Sequence, residues 1–268
     1  MKLYVGADPE FFVKRNGHWI SAHGFKCGTK KQPTLTAHGA MQNDGTALEV
    51  NVKPSETVHE FLTNTWGVIN DLREFVKKQD KTADIYTKPA VVFGKSMWGY
   101  VPDEAKVLGC EPDYNAYTLR QNPRPDASGR MRTGSGHIHV GWTQNQNPRT
   151  VLHMSKCAKL VKELDFRIGL SSLIWDPDPA RRNLYGKAGA FRPKPYGLEY
   201  RVPSNVLFSN PKYVSHAFHH VVAAVEAVFD KSFMYVDRYH DAAKQAIDTN
   251  DSRWWRTQYP RLADEVLP

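Results

Sequence analysis

Three short segments place chemically active side chains on alternate positions of otherwise apolar runs. Asp8 and Glu10 sit in Gly6-Ala7-Asp8-Pro9-Glu10-Phe11-Phe12. Glu49 and Asn51 follow Asp44 in Asn43-Asp44-Gly45-Thr46-Ala47-Leu48-Glu49-Val50-Asn51, and His137 and His139 follow Gly134-Ser135-Gly136. A fourth segment, Gly197-Leu198-Glu199-Tyr200-Arg201, alternates an acid with a base. Strand side chains at i and i+2 share a face, so each segment would present a pair to one side of a sheet. Two unit charges about 4 Å apart interact by roughly 4 kcal/mol at an effective dielectric of about 20. Carboxylates gathered on one face would repel on that scale unless cations sat between them, and this is the argument for a divalent-metal site.

Each constellation also has a plainer reading. Asp8 and Glu10 could face solvent on an edge strand, Asp44-Gly45 could be turn chemistry, and Glu199 with Arg201 could be a surface ion pair worth about 0–1 kcal/mol. The apolar flank Phe11-Phe12-Val13 and the glycines before His137 favour a site over these readings. Gly186-Lys187-Ala188-Gly189 lacks the spacing of a phosphate-binding P-loop. It reads instead as a mobile cationic flap, with Lys187 and Arg192 available to an anion. His216, His219 and His220 read as helix filler, and Cys27, Cys110 and Cys157 receive no role.

The elements that must position these groups follow from periodicity. Strands are expected at about residues 3–13, 18–22, 47–52, 89–93, 137–142 and 196–202, and Pro9 assigns the first to an edge or a bulge. Residues 28–33 read as a loop, and Pro54 as the end of its strand. Thr57 and Glu60 form a capping box opening a helix whose buried face is Val58, Phe61, Leu62, Thr65, Ile69, Leu72 and Val76. Further helices are expected after Asn147-Pro148, with Val151, Met154, Ala158, Val161, Leu164 and Ile168 on one face, and after Asn210-Pro211 to about residue 229. Residues 94–136 show little periodicity, which marks a functional loop region. One α+β domain over 1–268, with a helical or irregular extension at about 237–268, is the simplest partition.

The chain has 268 residues, 41% of them hydrophobic, and no window approaches the eighteen or so apolar residues of a membrane span. The first motif begins too early for a signal peptide, and three cysteines without metal-type spacing suit a reducing compartment, so a cytoplasmic protein is expected. The formal charge of +8 comes from scattered bases, which favours a basic surface or small-anion contacts over nucleic acid.

Taken in order, the motifs resemble the glutamine synthetase and glutamate–cysteine ligase superfamily, and within it the phage-associated phiEco32-like amidoligases. The resemblance implies a glutamine-synthetase-like catalytic domain: a curved, mainly antiparallel sheet, helices on the outer face and the active site on the concave face. It implies metal ligation by Asp8, Glu10, Asp44, Glu49, His137 and Glu199, and nucleotide-phosphate contacts from His139, Arg192, Arg201 and Lys187. The cofactors would be ATP and Mg2+, with Mn2+ as the substitute, and the reaction an amide or peptide bond made through an acyl phosphate. Arg192, Arg201 and Lys187 would be the catalytic cations, and the substrates a small-molecule or peptide carboxylate and an amine. A phage-encoded enzyme would act in the host cytoplasm, and the superfamily's ring assemblies make self-association an expectation. Two rivals remain at this stage: a phosphotransferase on the same sheet, and a non-catalytic basic protein binding nucleic acid or a host factor.

Overall fold

Val5, Ala7, Phe11 and Val13 of the first strand are buried in the main hydrophobic cluster, whereas Asp8 and Glu10 line a cleft on the opposite side. This alternation organises the whole computed structural model, which describes residues 2–107, 113–126, 128–230 and 236–264. Cys110, which carried no expected role, lies outside the described residues.

In chain order the strands are β1 (Tyr4–Arg15), β2 (His18–Ile20), β3 (Gly28–Thr29), β4 (Gln32–Thr36), β5 (Gly39–Asp44), β6 (Ala47–Ser55) and β7 (Ala83–Tyr86). They continue with β8 (Ala90–Val92), β9 (Tyr114–Asn115), β10 (Met131–Thr133), β11 (Gly136–Gly141), β12 (Ala190–Lys194) and β13 (Gly197–Tyr200). The helices are α1 (Val58–Gln79), α2 (Lys95–Gly99), α3 (Asp103–Lys106), α4 (Val151–Leu164), α5 (Leu170–Trp175), α6 (Pro211–Phe229), α7 (Val236–Thr249), α8 (Arg253–Gln258) and α9 (Pro260–Asp264).

The main sheet runs β3-β4-β5-β6-β1-β11-β13-β12-β9, with β2 and β7 pairing to the far half of β1. Every strand pairing among the described residues is antiparallel. The architecture is therefore α+β with an open antiparallel sheet. Leu48, Val50 and Val52 of β6, Ile138 and Val140 of β11, and Leu198 and Tyr200 of β13 join the cluster begun by β1. Helices α1, α4 and α6 supply its other wall, through Phe61, Ile69 and Leu72, Cys157, Leu160 and Val161, and Val214 and Val221. The opposite face of the sheet carries the polar cleft and a second, smaller apolar cluster of Phe12, Ala47, Val91 and Phe93.

Several local expectations change. Pro9 lies mid-strand in β1, between β6 and β11, not at an edge. The pairing survives because the next residue carries it: Glu10 N–H donates to Ser135 O at 2.9 Å. A register shift does occur in β1, between Val5 and Ala7. Residues 28–33 are not a plain loop but belong to the β3–β4 hairpin, and β6 continues through Pro54 to Ser55. Thr57 caps α1 by accepting from Glu60 N at 3.2 Å, while the Glu60 carboxylate accepts from Glu56 N at 3.1 Å, not from the cap residue. Val151 is exposed, at the first turn of α4. The segment from 94 to 136 contains α2, α3, β9 and β10. A π-turn, Asp165–Gly169, joins α4 to α5.

Candidate active site

Strand register assembles the site. Gln42 faces Glu49 and Glu49 faces Glu10 across β5, β6 and β1. Asp8 faces His137, His139 faces Glu199, and Glu199 faces Arg192 across β1, β11, β13 and β12. The two-residue turn Gly45-Thr46 returns the chain so that Asp44, last in β5, lies on the same face; Gly45 has φ +56°, which such tight turns require. One cleft of about 410 Å³ is lined by Asp8, Glu10, Asp44, Glu49, His137, Arg192, Glu199 and Arg201. Segments separated by nearly two hundred residues thus converge.

Within that face the acids fall into two groups. Glu10, Asp44 and Glu49 each offer one oxygen, all within 4.8 Å of one another, and Asp8, His139 and Glu199 offer a second such trio. His139 Nε2 is 3.1 Å from Asp8 Oδ2. His137 Nδ1 is 3.1 Å from Asp8 Oδ1 and 3.4 Å from Glu199 Oε1. The structure therefore brings both imidazoles to Asp8, with His139 as the trio member and His137 more deeply buried.

The electrostatics of the two groups differ. Burial, then the charge of Asp44, pushes the Glu10 carboxyl up to about 8. Burial, then the charges of Asp8 and Asp44, holds Glu49 well above its ordinary value. Like charges facing each other across a sheet are destabilising; among the described residues Lys30 lies 3.0 Å from Asp44, and the charge of Arg181 acts on Glu10. Asp8 behaves oppositely: burial would raise it, but the charges of His139 and His137 hold it well below the carboxylate range. His139 is raised, since Asp8 outweighs the effect of burial. His137 is lowered to about 4 by burial and by the charge of Arg201.

A basic wall stands beside the second trio. Lys194 Nζ is 2.8 Å and Arg192 Nη1 3.4 Å from Glu199 Oε2, and Arg201 also pairs with Glu199. Arg201 is fixed by contacts to Tyr185 and by Asp113, whose carboxylate lies 3.4 Å from its Nε. Beneath it, fully buried Arg181 donates to Val202 O at 2.7 Å and Arg201 O at 3.3 Å. Sequence reasoning missed Lys194, though it stands at i+2 from Arg192, and missed Arg181, for which no local pattern exists.

Lys187 does not reach this site. It is exposed and absent from the cleft lining. Nor is its loop built as a free flap. Gly189 N donates to Asp165 Oδ2 at 2.6 Å, Ala188 N to Asp248 Oδ1 at 2.9 Å, and Ala116 N to Gly189 O at 2.8 Å. Asp165, in the π-turn, also accepts from Tyr200 OH at 2.8 Å and Tyr117 OH at 3.0 Å. This buried hub ties the turn before β12 to β13, and so sets where Arg192, Lys194 and Glu199 stand. His216 is buried away from the cleft with Nε2 3.0 Å from Ser171 Oγ, and burial raises the Cys27 and Cys157 thiols to about 12, which removes them as nucleophiles.

Two trios with metal-ligand spacing, next to three cations on one sheet face, suit the handling of a polyphosphate and a carboxylate. A family model described as "Phage phiEco32-like COOH.NH2 ligase-type 2" matches residues 130–266. The chain belongs to that family. Its chemistry is thereby the joining of a carboxylate to an amine through a C–N bond. The family match covers His137, His139, Arg192, Glu199 and Arg201, and the sheet register attaches the acids of β1, β5 and β6 to them. Among solved structures, one described as "GmaS/ADP complex-Conformation 1" is similar at 10% identity and a TM-score of 0.40, over 99% of this chain and 71% of that chain. No curated protein matches the chain. Among the described residues no helix is long and apolar enough to cross a membrane.

Proposed function

We propose that this family member is an ATP- and Mg2+-dependent ligase that activates its carboxylate as an acyl phosphate. The observation that carries the reading is the pair of trios on one sheet face, their five carboxylates lining one cleft beside a guanidinium and ammonium wall and His139 lining the adjoining cavity. The residues fit the metal. Carboxylate oxygens suit magnesium, and Glu10 and Glu49 are raised in pKa first by burial and then by the neighbouring carboxylates, which a bound cation would offset. Glu10, Asp44 and Glu49 would hold one divalent ion, and Asp8, His139 and Glu199 a second. Bound there, the ions would neutralise polyphosphate charge and act as Lewis acids toward the transferred group.

The remaining roles belong to the chain. A second cavity of about 580 Å³, lined by Tyr4, His139, Trp142 and Tyr196, adjoins the trio at His139 and offers aromatic surfaces to a nucleotide base. Arg192, Lys194 and Arg201 orient the carboxylate substrate and stabilise charge developing on the phosphoryl group in flight. An amine then attacks the acyl carbon and phosphate departs. All of residues 1–268 would act as one catalytic unit, since Ala243, Ile247 and Trp255 of the C-terminal helices enter the main core.

The test is a screen of carboxylates and amines for release of ADP and phosphate, with the carboxylate labelled by oxygen-18. The expected result is release that depends on both substrates, with label appearing in the phosphate. A stable phosphorylated product without amide would assign a phosphotransferase instead.

A further inference from the structure

Building on the ligase reading, we propose that Tyr185 and Arg181 are positioning residues for Arg201, and that the segment 181–186 is a clamp aiming its guanidinium into the cleft. The clamp holds Arg201 at both ends. At the backbone, fully buried Arg181 donates from Nη1 to Val202 O at 2.7 Å and from Nη2 to Arg201 O at 3.3 Å. At the side chain, Arg201 Nη2 donates to the Tyr185 hydroxyl, and Arg201 Cζ lies over the Tyr185 ring, 5.2 Å from its centroid.

One tight turn makes both contacts possible. Leu184 N and Tyr185 N both donate to Arg181 O, at 3.0 and 2.7 Å, so the chain coils back on itself. The Tyr185 ring thereby meets Arg181 too, with Cζ 5.4 Å from the centroid. Gly186 leaves the turn at φ +80°, and a Cβ there would strike the Arg181 guanidinium and Val202 O. Glycine is needed here for conformation and for space.

The choice of tyrosine has a chemical reason. Arg201 also pairs with Glu199 and has the Asp113 carboxylate 3.4 Å from its Nε, and each acid offsets part of its charge. A phenol oxygen is a neutral acceptor. It fixes the direction of the guanidinium and leaves the positive charge for the phosphoryl group. The ring face also attracts both guanidiniums, which offsets part of the repulsion between two buried cations. Arg201 lines the main cleft and Tyr185 does not, so Tyr185 acts through Arg201 and not on substrate.

Two measurements on the full chain test this. The first is nitrogen-15 spectroscopy of the arginine side chains, with the Arg201 signals identified by their loss in Arg201→Lys. Tyr185→Phe should speed rotation about the Arg201 Nε–Cζ bond by about 10- to 100-fold, the scale of one lost hydrogen bond to a charged group. The second is steady-state turnover, where kcat should fall by a similar factor with KM for the amine within about twofold. Added to Arg201→Lys, which has no guanidinium fork to hold, Tyr185→Phe should cost less than about a further twofold. Arg181→Lys can serve only one of the two carbonyls and should move both readouts in the same direction; if it does not fold, Tyr185→Phe decides alone. An Arg201 rotation rate unchanged in Tyr185→Phe, or full additivity of the two substitutions, overturns the proposal. Faster rotation in a chain that releases phosphate with no carboxylate and amine would keep the clamp and remove the ligase reading. Substrate-dependent phosphate release that Tyr185→Phe leaves unchanged would do the reverse.

Discussion

Asp8 is held between two imidazoles: His137, its register partner on β11, touches one carboxylate oxygen, and His139 reaches the other diagonally at 3.1 Å. Glu199, the other acid of that trio, is met by Lys194, Arg192 and Arg201. Among the described residues, the Glu10, Asp44 and Glu49 trio is met by Lys30, 3.0 Å from Asp44, and by the charge of buried Arg181 on Glu10. The same sheet face therefore carries one group in which Asp8 is held low by two imidazoles and one in which burial and like charges hold Glu10 and Glu49 high.

Divalent ions should fill the Glu10 trio first. Saturating Mg2+ or Mn2+ at about 100 times its Kd adds about 2.7 kcal/mol of stability, which for a chain of this size raises Tm by roughly 5–10 °C. Glu49→Gln should abolish most of that shift, and Glu199→Gln much less. Differential scanning calorimetry with and without EDTA reads both, and equal losses in the two variants would contradict the asymmetry.

Arg192→Ala should lower kcat by about 100- to 1000-fold, the usual loss for a group that stabilises charge in the transition state. Circular dichroism should be unchanged, because the guanidinium is at the cleft and not in the helix-facing core. A change in KM alone would reduce Arg192 to a ground-state contact.

Asp165 gives the clearest pH dependence. Burial raises its carboxyl from 3.8 to about 7 against the hydrogen bonds from Tyr200, Tyr117 and Gly189. Between those values the native state binds more protons than the unfolded chain, so this group's contribution to stability falls as pH rises, and levels off above about 7. Asp165→Asn removes the slope and keeps an acceptor for the hub. The variant should gain stability relative to wild type from pH 4 to pH 7, measured by urea denaturation at fixed ionic strength. A constant difference across that range would show that Asp165 does not titrate there.

Lys187→Ala should leave activity within about twofold, as for an exposed side chain outside the site. A large loss in steady-state rate would restore Lys187 to the catalytic set.

The acids and imidazoles were legible because strand alternation is local: Asp8 with Glu10, and His137 with His139, needed only a period of two. Their convergence depends on pairing between β1, β6, β11 and β13, which no single segment encodes, so the grouping of His139 with Asp8 and Glu199 emerged only from the register. Glycines misled at 186–189, where the same composition that permits a flap here serves a turn pinned by Asp165 and Asp248. Pro9 misled because the neighbouring Glu10 amide supplies the sheet bond that proline lacks. The π-turn at Asp165–Gly169 breaks no apolar periodicity and left no mark on the sequence.

The most direct measurement is anomalous diffraction from crystals grown with Mn2+ and a non-hydrolysable ATP analogue. Peaks within ligand distance of Glu10, Asp44 and Glu49, and of Asp8, His139 and Glu199, with the polyphosphate against Arg192 and Arg201, are the predicted result. Manganese absent from both trios while the analogue is bound, or the analogue bound away from this face, would contradict the account.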